Sequence, residues 1–330
     1  MPDTNRMRSG RTAVLSLALV AAFAAACSSD SGNDADKSTS SAASQPAASG
    51  SSSQSASSPA APSTTPVAKT KVKVTTINSD GVSYGVGMPV IVYFSKKITD
   101  ARQFQAQTKV TADGKPLTAA WYFQYSSAGN GPIEAQLRPK DYWPAHSKIH
   151  VGFPKAGTSL GKNYVSDGKL SSLDFKIGKR QIVTVDNSTH KVTVVSDGKQ
   201  IGTYPTSLGA PSTPTKRGIK VIMEKGRDIS MKGPGYYDAH VKDTQRLTFG
   251  GEYLHAAPWN TSNIRNGVNS SNGCTNLIPG DAETLYGDLH VGDVVTFPNA
   301  TGPKMQMGQG YGLWNVSWGE YQTGGLVPTR

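Results

Sequence analysis

Tyr253-Leu254-His255-Ala256-Ala257-Pro258-Trp259-Asn260 and, after a polar stretch, Ser271-Asn272-Gly273-Cys274-Thr275-Asn276-Leu277-Ile278 are the segments that decide the reading of this chain. A cysteine preceded by glycine in a polar turn can expose its sulfur and leave neighbouring backbone N–H groups free, the arrangement an acyl-transfer oxyanion hole needs. An apolar, buried cysteine needs no such turn. His255 ends a short strand-like run nineteen positions before Cys274, a separation that a loop can close so that imidazole and thiol meet. On spacing alone, a histidine that serves only as a structural hydrogen-bonder is the commoner reading.

Working outward, strands and turns surround this stretch. A β-rich unit opens at residues 181–185, turns at Asp186-Asn187-Ser188, returns through residues 191–195 and turns again at Asp197-Gly198, a pattern of antiparallel hairpins. A short helix is predicted after Pro279, with Asp281 and Glu283 near its positive end and Leu285 and Tyr286 facing inward, followed by a strand over 291–297. Trp314 and Trp318 then stand one helical turn apart, either covering apolar surface of the second domain or stacking on a ligand, with the first favoured. Upstream, residues 71–74 alternate, 90–94 form a β-branched and aromatic run after Pro89, Asp113-Gly114 marks a turn, and 121–125 are aromatic-rich. This suggests a β-sandwich ending near residues 175–177, with no cluster that looks catalytic.

The organisation expected is a signal peptide over 1–26, a disordered Ser/Ala/Pro tether over 27–70, a sandwich over 71–178, a catalytic domain over 179–298, and a tail over 299–330 packing on that domain. Arg6, Arg8 and Arg11 precede an apolar run at 13–25 that is too short for a permanent membrane helix, and small residues lead into Cys27. The tether has no aromatic residue and cannot bury enough surface to offset its ordering entropy; as a flexible coil it reaches about 35 Å. If Cys27 carries a lipid anchor, Cys274 is the single thiol left in the body of the protein, and no internal disulfide is possible. The formal net charge of +11 includes the three arginines above, and the rest is spread without a basic block. Nucleic acid is a poor partner for an exported protein, and a mildly basic surface facing an anionic cell wall is the simpler reading. His146, His150, His190, His240 and His290 are scattered without metal-ligand spacing, so neither a metal nor a cofactor is expected.

At His255 and Ser271-Asn272-Gly273-Cys274-Thr275-Asn276 the chain resembles a YkuD-type L,D-transpeptidase, specifically the actinobacterial kind with an immunoglobulin-like domain in front. Gly87-Met88-Pro89, residues 138–146, residues 218–223, His255-Ala256-Ala257-Pro258-Trp259, Trp314-Asn315 and Trp318 look like family landmarks, so the resemblance covers roughly residues 71–321. Cys27, directly after Ala24-Ala25-Ala26, resembles a lipobox cysteine. The family usually has histidine where this chain has Asn272.

The resemblance implies a mainly β fold, an immunoglobulin-like sandwich followed by a β-rich catalytic domain with a short helix. It implies a peptidoglycan stem tetrapeptide as donor, attack by Cys274 with His255 as base, release of D-alanine, and capture of the thioester by the amine of an acceptor stem as a 3→3 cross-link. It also implies that the Ala256 carbonyl orients His255 and that the backbone N–H groups of Asn272, Gly273 and Cys274 hold the oxyanion. Tyr237 would lie in a lid over the acyl pocket, and Gly250 and Gly251 would supply backbone contacts. Met223, Trp259, Ser271 and Asn276 would be pocket wall or support, with core packing an equal reading for Met223 and Trp259. Carbapenems are expected inhibitors. A lipid anchor would hold the protein on the outer face of the cytoplasmic membrane, reaching into the wall. Two other readings fit the residues: an L,D-carboxypeptidase with the same site but water as acceptor, and a non-catalytic wall-binding lipoprotein, against which the intact Cys274 and His255 argue.

Overall fold

The computed structural model describes residues 68–330 apart from 234 and 235. The signal-like segment, Cys27 and nearly all of the expected tether lie outside the described residues.

Val90–Phe94 is buried at every position because it runs inside a sheet, with Val74–Thr76 on one side and Ile133–Pro139 on the other, and Ala119–Tyr125 beyond. The facing sheet runs in the order Ser83–Tyr84, Ser172–Ile177, Lys148–Gly152, Lys109–Ala112, Lys115–Pro116. Its strand Ser172–Ile177 alternates strictly between exposed polar and buried apolar residues, as a half-solvated antiparallel sheet requires. Asp113 and Gly114 both take positive φ, 49° and 76°, which supplies the two-residue hairpin turn read from the sequence. Between the sheets Phe94, Phe104, Trp121 and Phe123 meet with ring centroids 5.3 to 6.4 Å apart. Each such buried ring is worth about 1.5–3 kcal/mol of apolar burial.

The second half is built on one ten-stranded sheet. Gln181–Asp186 and Lys191–Ser196 pair without a slip from Gln181↔Ser196 to Asp186↔Lys191, and Val183, Val185, Val192 and Val194 all face the core. At one end of the sheet lies Glu224–Gly233, and near the other Lys216–Val221. These two are nearly consecutive in sequence, so the sheet curls back on itself around a core of Leu208, Ile222, Leu254, Leu277, Val295 and Phe297. The helix Pro279–Asp288 seals that core with Ala282 and Leu285, joined by Leu289 just beyond it. Tyr286, expected to face inward, instead lies half-buried under Lys225 and Arg227, whose charged groups sit 4.3 and 4.2 Å from its ring centroid. The ring face thus carries the two cationic groups themselves. The strand expected over 291–297 is shortened to Val294–Phe297, because Gly292 turns the chain at φ 97°.

The tail corrects one expectation. Gly302–Lys304 pairs with the catalytic sheet, and Met305, Gln309 and Asn315 still bond to Arg217, Phe249 and Ile219 of that domain, but the residues after them cross to the sandwich. Phe123 N–H donates to Gly324 O at 2.9 Å and Leu326 N–H to Phe123 O at 3.0 Å, so the tail occupies the open edge of Ala119–Tyr125. Trp314, Trp318 and Tyr321 surround the Arg138 guanidinium of the sandwich at 4.7, 5.3 and 4.2 Å from their ring centroids. The reason is the need to cover a sheet edge and a buried cation, and both belong to the first domain. The two domains meet closely: Gly85 and Gly87 N–H groups donate to the carbonyls of Val291 and Gly292 at 2.9 and 2.8 Å, and Trp314 Nε1–H donates to Gly87 O at 2.8 Å.

Candidate active site

Two adjacent strands carry the chemistry. Tyr253–Ala256 pairs in parallel with Thr275–Leu277, in the register Leu254↔Thr275 and His255↔Asn276. Continuing that register places Cys274 beside Tyr253, and because side chains alternate along strands, Tyr253, His255 and Cys274 share one face. Leu254 and Thr275 point to the interior. His255 and Cys274 therefore face one cleft of about 220 Å³, which Met231, Asp238, Trp259, Asn260, Asn272 and Asn276 also line.

The turn that presents the sulfur is fixed from below. Ser271 Oγ donates to Cys274 O at 2.6 Å and accepts from Gly273 N–H at 3.1 Å. Gly273 has φ 106°, and Gly251, whose carbonyl faces the Cys274 sulfur, has φ 92°, a region that residues with a Cβ avoid. The Ser271 hydroxyl is thus spent on the turn and not on a substrate, and the Gly273 N–H, expected in the oxyanion hole, is already engaged. Asn272 is exposed on a ridge between the first cleft and a second, of about 500 Å³, lined by Ser230, Lys232, Phe249, Gly250, Gly251 and Tyr253 among others.

His255 is buried, and its Nδ1 donates to Ala256 O at 2.8 Å. A carbonyl only accepts, so this bond fixes the proton on Nδ1 and leaves Nε2 as the basic nitrogen of the neutral ring. Burial holds the imidazole below its ordinary value, against the Ala256 carbonyl, Asp238 and Asn276, which favour the cation. Burial also pushes the Cys274 thiol up to about 12, with a hydrogen bond from Tyr253 N–H opposing. Cys274 Sγ–H donates to Gly251 O at 3.4 Å. Burial thus disfavours both the thiolate and the imidazolium, because neither charge is solvated there.

Trp259 stands half in solvent with its ring stacked 6.0 Å from that of His255 at 29°. Asn276 is buried, its carbonyl accepting from Thr206 Oγ1 at 2.9 Å while its side chain flanks the imidazole. Gly250 and Gly251 border the second cleft. Tyr237 lies on the hairpin beside Asp238 with its ring exposed; its Oη donates to Ser230 Oγ at 3.3 Å, and Ser230 and Lys232, its partner across the hairpin, both border the second cleft. Met223 takes the core-packing reading: it is partly buried against the core, its Sδ 3.0 Å from where a Cβ on Gly310 would lie.

Several site residues were missed. Met231 and Asp238 come from the two strands of the hairpin Glu224–Gly233 and Tyr236–Arg246, directly opposite one another. Asn260 accepts from Asn263 Nδ2 at 2.8 Å and from Ser270 Oγ at 2.9 Å, forming a polar floor. The density of Asn and Ser between the two motifs was the available signal for that floor. No local signal marks Met231, since its role depends on how the hairpin folds over the site. Among the described residues no cluster of three His, Cys, Asp or Glu side chains comes together to hold a metal.

Family models match the chain twice, as an L,D-transpeptidase catalytic domain over residues 180–297 and as a bacterial Ig domain over 34–159. The chain is 28% identical over 254 residues to L,D-transpeptidase 2 of Mycobacterium tuberculosis, covering 74% of this chain and 60% of that protein. It is 30% identical over 244 residues to a probable L,D-transpeptidase 3 of the same organism, covering 65% of this chain and 82% of the relative. The chain thus spans about three fifths of the length of the first of these relatives. A solved L,D-transpeptidase from Mycobacterium smegmatis superposes with a TM-score of 0.55 at 27% identity, over 70% of this chain and 100% of that one. With the Cys274 turn, the facing His255 and the sandwich ahead of them, the chain belongs to the YkuD L,D-transpeptidase family, in its form with a bacterial immunoglobulin-like domain in front of the catalytic one.

Proposed function

We propose that the chain is a peptidoglycan L,D-transpeptidase that makes 3→3 cross-links through a thioester on Cys274. The observation that carries this reading is the shared face of Cys274 and His255, with Nε2 left as base by the bond from Nδ1 to Ala256 O. On binding of a donor stem, His255 Nε2 takes the thiol proton as sulfur attacks the carbonyl of the third stem residue. The N–H groups of Asn272 and Cys274 stabilise the oxyanion once the acyl group displaces the resting contacts. The carbon–nitrogen bond to D-alanine breaks, and His255 returns the proton to the departing amine. An acceptor amine then attacks the thioester, giving its proton to His255 and the sulfur back as thiol. Two clefts meeting at Asn272 suit a reaction that needs a donor and an acceptor strand at one sulfur.

Purified tetrapeptide muropeptides test this: cross-linked dimer with released D-alanine is the expected product. Tripeptide alone would replace the reading by an L,D-carboxypeptidase, and no turnover would leave a wall-binding role. A relative was solved in complex with imipenem and another with a faropenem-derived adduct, which supports the expectation that β-lactams of the carbapenem class acylate Cys274 here.

The lipobox-like segment ending at Cys27 supports a lipid anchor on the outer face of the cytoplasmic membrane, with the Ser/Ala/Pro tether extending the enzyme into the wall. Cys27→Ser is expected to move the protein from the membrane to the soluble fraction; unchanged partitioning would refute the anchor.

A further inference from the structure

Behind the nucleophile's turn lies a pair of opposite charges that the proposed chemistry does not use. Lys220 is fully buried, and its Nζ donates to Glu252 Oε2 at 2.7 Å. Glu252 Oε1 accepts from the Lys216 backbone N–H at 2.9 Å, and Lys216 Nζ lies 3.6 Å from it. The ring of Phe297 covers Lys220, its centroid 3.7 Å from Nζ. Glu252 rests directly against the turn: a Cβ on Gly273 would lie 3.6 Å from Glu252 Cγ and 3.7 Å from Oε1. The residue before Glu252, Gly251, supplies the carbonyl that accepts from the Cys274 thiol. One short segment therefore holds both the sulfur's hydrogen-bond acceptor and a buried carboxylate.

A buried ion pair is a weak device for stability, since apolar residues of similar volume commonly replace one at no loss. Its position beside the reacting sulfur suggests another use. The two charges act on Cys274 in opposite senses, Glu252 favouring the thiol and Lys220 the thiolate, with Glu252 the stronger. Asp238, from the hairpin, also favours the thiol, and His255 faces the same cleft. Lys216 flanks Glu252 from behind.

Resting on Cys274 as the nucleophile, we propose that Glu252 and Lys220 are positioning residues that brace the Gly251 and Gly273 segments against each other and set the protonation of the sulfur, the carboxylate keeping it a thiol until His255 takes its proton. A thiol held in this way reacts slowly with stray electrophiles and oxidants, because the thiolate is the reactive form.

The test is alkylation of Cys274 by iodoacetamide in the whole protein, followed by intact mass at several pH values around neutrality, below the value of about 8 to which burial lowers Lys220. It compares wild type, Glu252→Gln, Lys220→Met and the double variant. Glu252→Gln is expected to react several-fold faster at each pH, whether or not Lys220 keeps its proton once unpaired, since losing the nearby negative charge acts only in that direction. Lys220→Met is expected to react several-fold slower, and the double variant to fall between the two. Rates within twofold of one another, or both single variants shifted in the same direction as a loosened turn would produce, overturn the proposal. If Lys220→Met does not fold, the double variant, which leaves no buried charge unpaired, still decides with Glu252→Gln: neither exceeding wild type overturns it. Alkylation involves no stem peptide, so failure of the muropeptide assay with this pattern intact would refute the transpeptidase reading and leave the role of the pair standing.

Discussion

His255 faces the Ala256 carbonyl through Nδ1 and the Cys274 cleft through the rest of its ring, and burial disfavours a charge on both it and the sulfur. The proton on sulfur must then leave during attack, and the rate should follow the neutral fraction of His255. Because burial holds that histidine below its ordinary value, the fraction is already complete near neutrality and is lost only as pH falls into the acid range. Acylation by a carbapenem is expected to be flat from about pH 7 to 9 and to decline toward acid, with His255→Gln slower by about 10²–10⁴-fold. Stopped-flow rates checked across that range decide it: a tenfold rise per pH unit would mean that free thiolate is the nucleophile. Glu252 adds to the same picture from behind the turn, since a carboxylate there opposes spontaneous ionisation of the sulfur.

Among the elements, those whose pattern is local were readable in the sequence. Val90–Phe94, the hairpin of Gln181–Asp186 with Lys191–Ser196, the Asp113–Gly114 turn and the helix after Pro279 follow from period-two alternation, turn chemistry and a proline at a helix start. That Cys274 and His255 face one cleft was legible for a related reason, because a Gly-Cys turn and a histidine at a strand end sit within one short stretch. What was not legible depends on pairing at long range. The ion pair of Lys220 with Glu252 joins residues thirty-two positions apart, and Asp238 reaches the site only because the hairpin crosses it. Tyr237, next to Asp238 on that strand, faces the other way and reaches Ser230 at the border of the second cleft, a placement that again depends on the hairpin. The charge state of Cys274 was likewise out of reach, since it depends on burial and not on which residues are adjacent in the chain.

Across the whole molecule, the sandwich is more than a spacer in this structure. Its Gly85 and Gly87 lie so close to the catalytic domain that a Cβ on Gly85 would come within 2.2 Å of Asp293 N. The tail then straps the two domains together by pairing first with the catalytic sheet and afterwards with Ala119–Tyr125. Gly85→Ala is accordingly expected to destabilise the folded unit by about 1–3 kcal/mol through overpacking at the seam, read as a lower melting temperature by calorimetry. An unchanged melt would mean that the seam yields without cost. With the domains braced, the orientation of the clefts at Cys274 is set by the body of the protein.

If Cys274 is the nucleophile its fold presents, imipenem should mark that residue alone. Intact-protein mass spectrometry is expected to show a single covalent adduct on the wild type and none on Cys274→Ala; an unmodified wild type, or an adduct that persists in Cys274→Ala, would show that Cys274 is not that nucleophile.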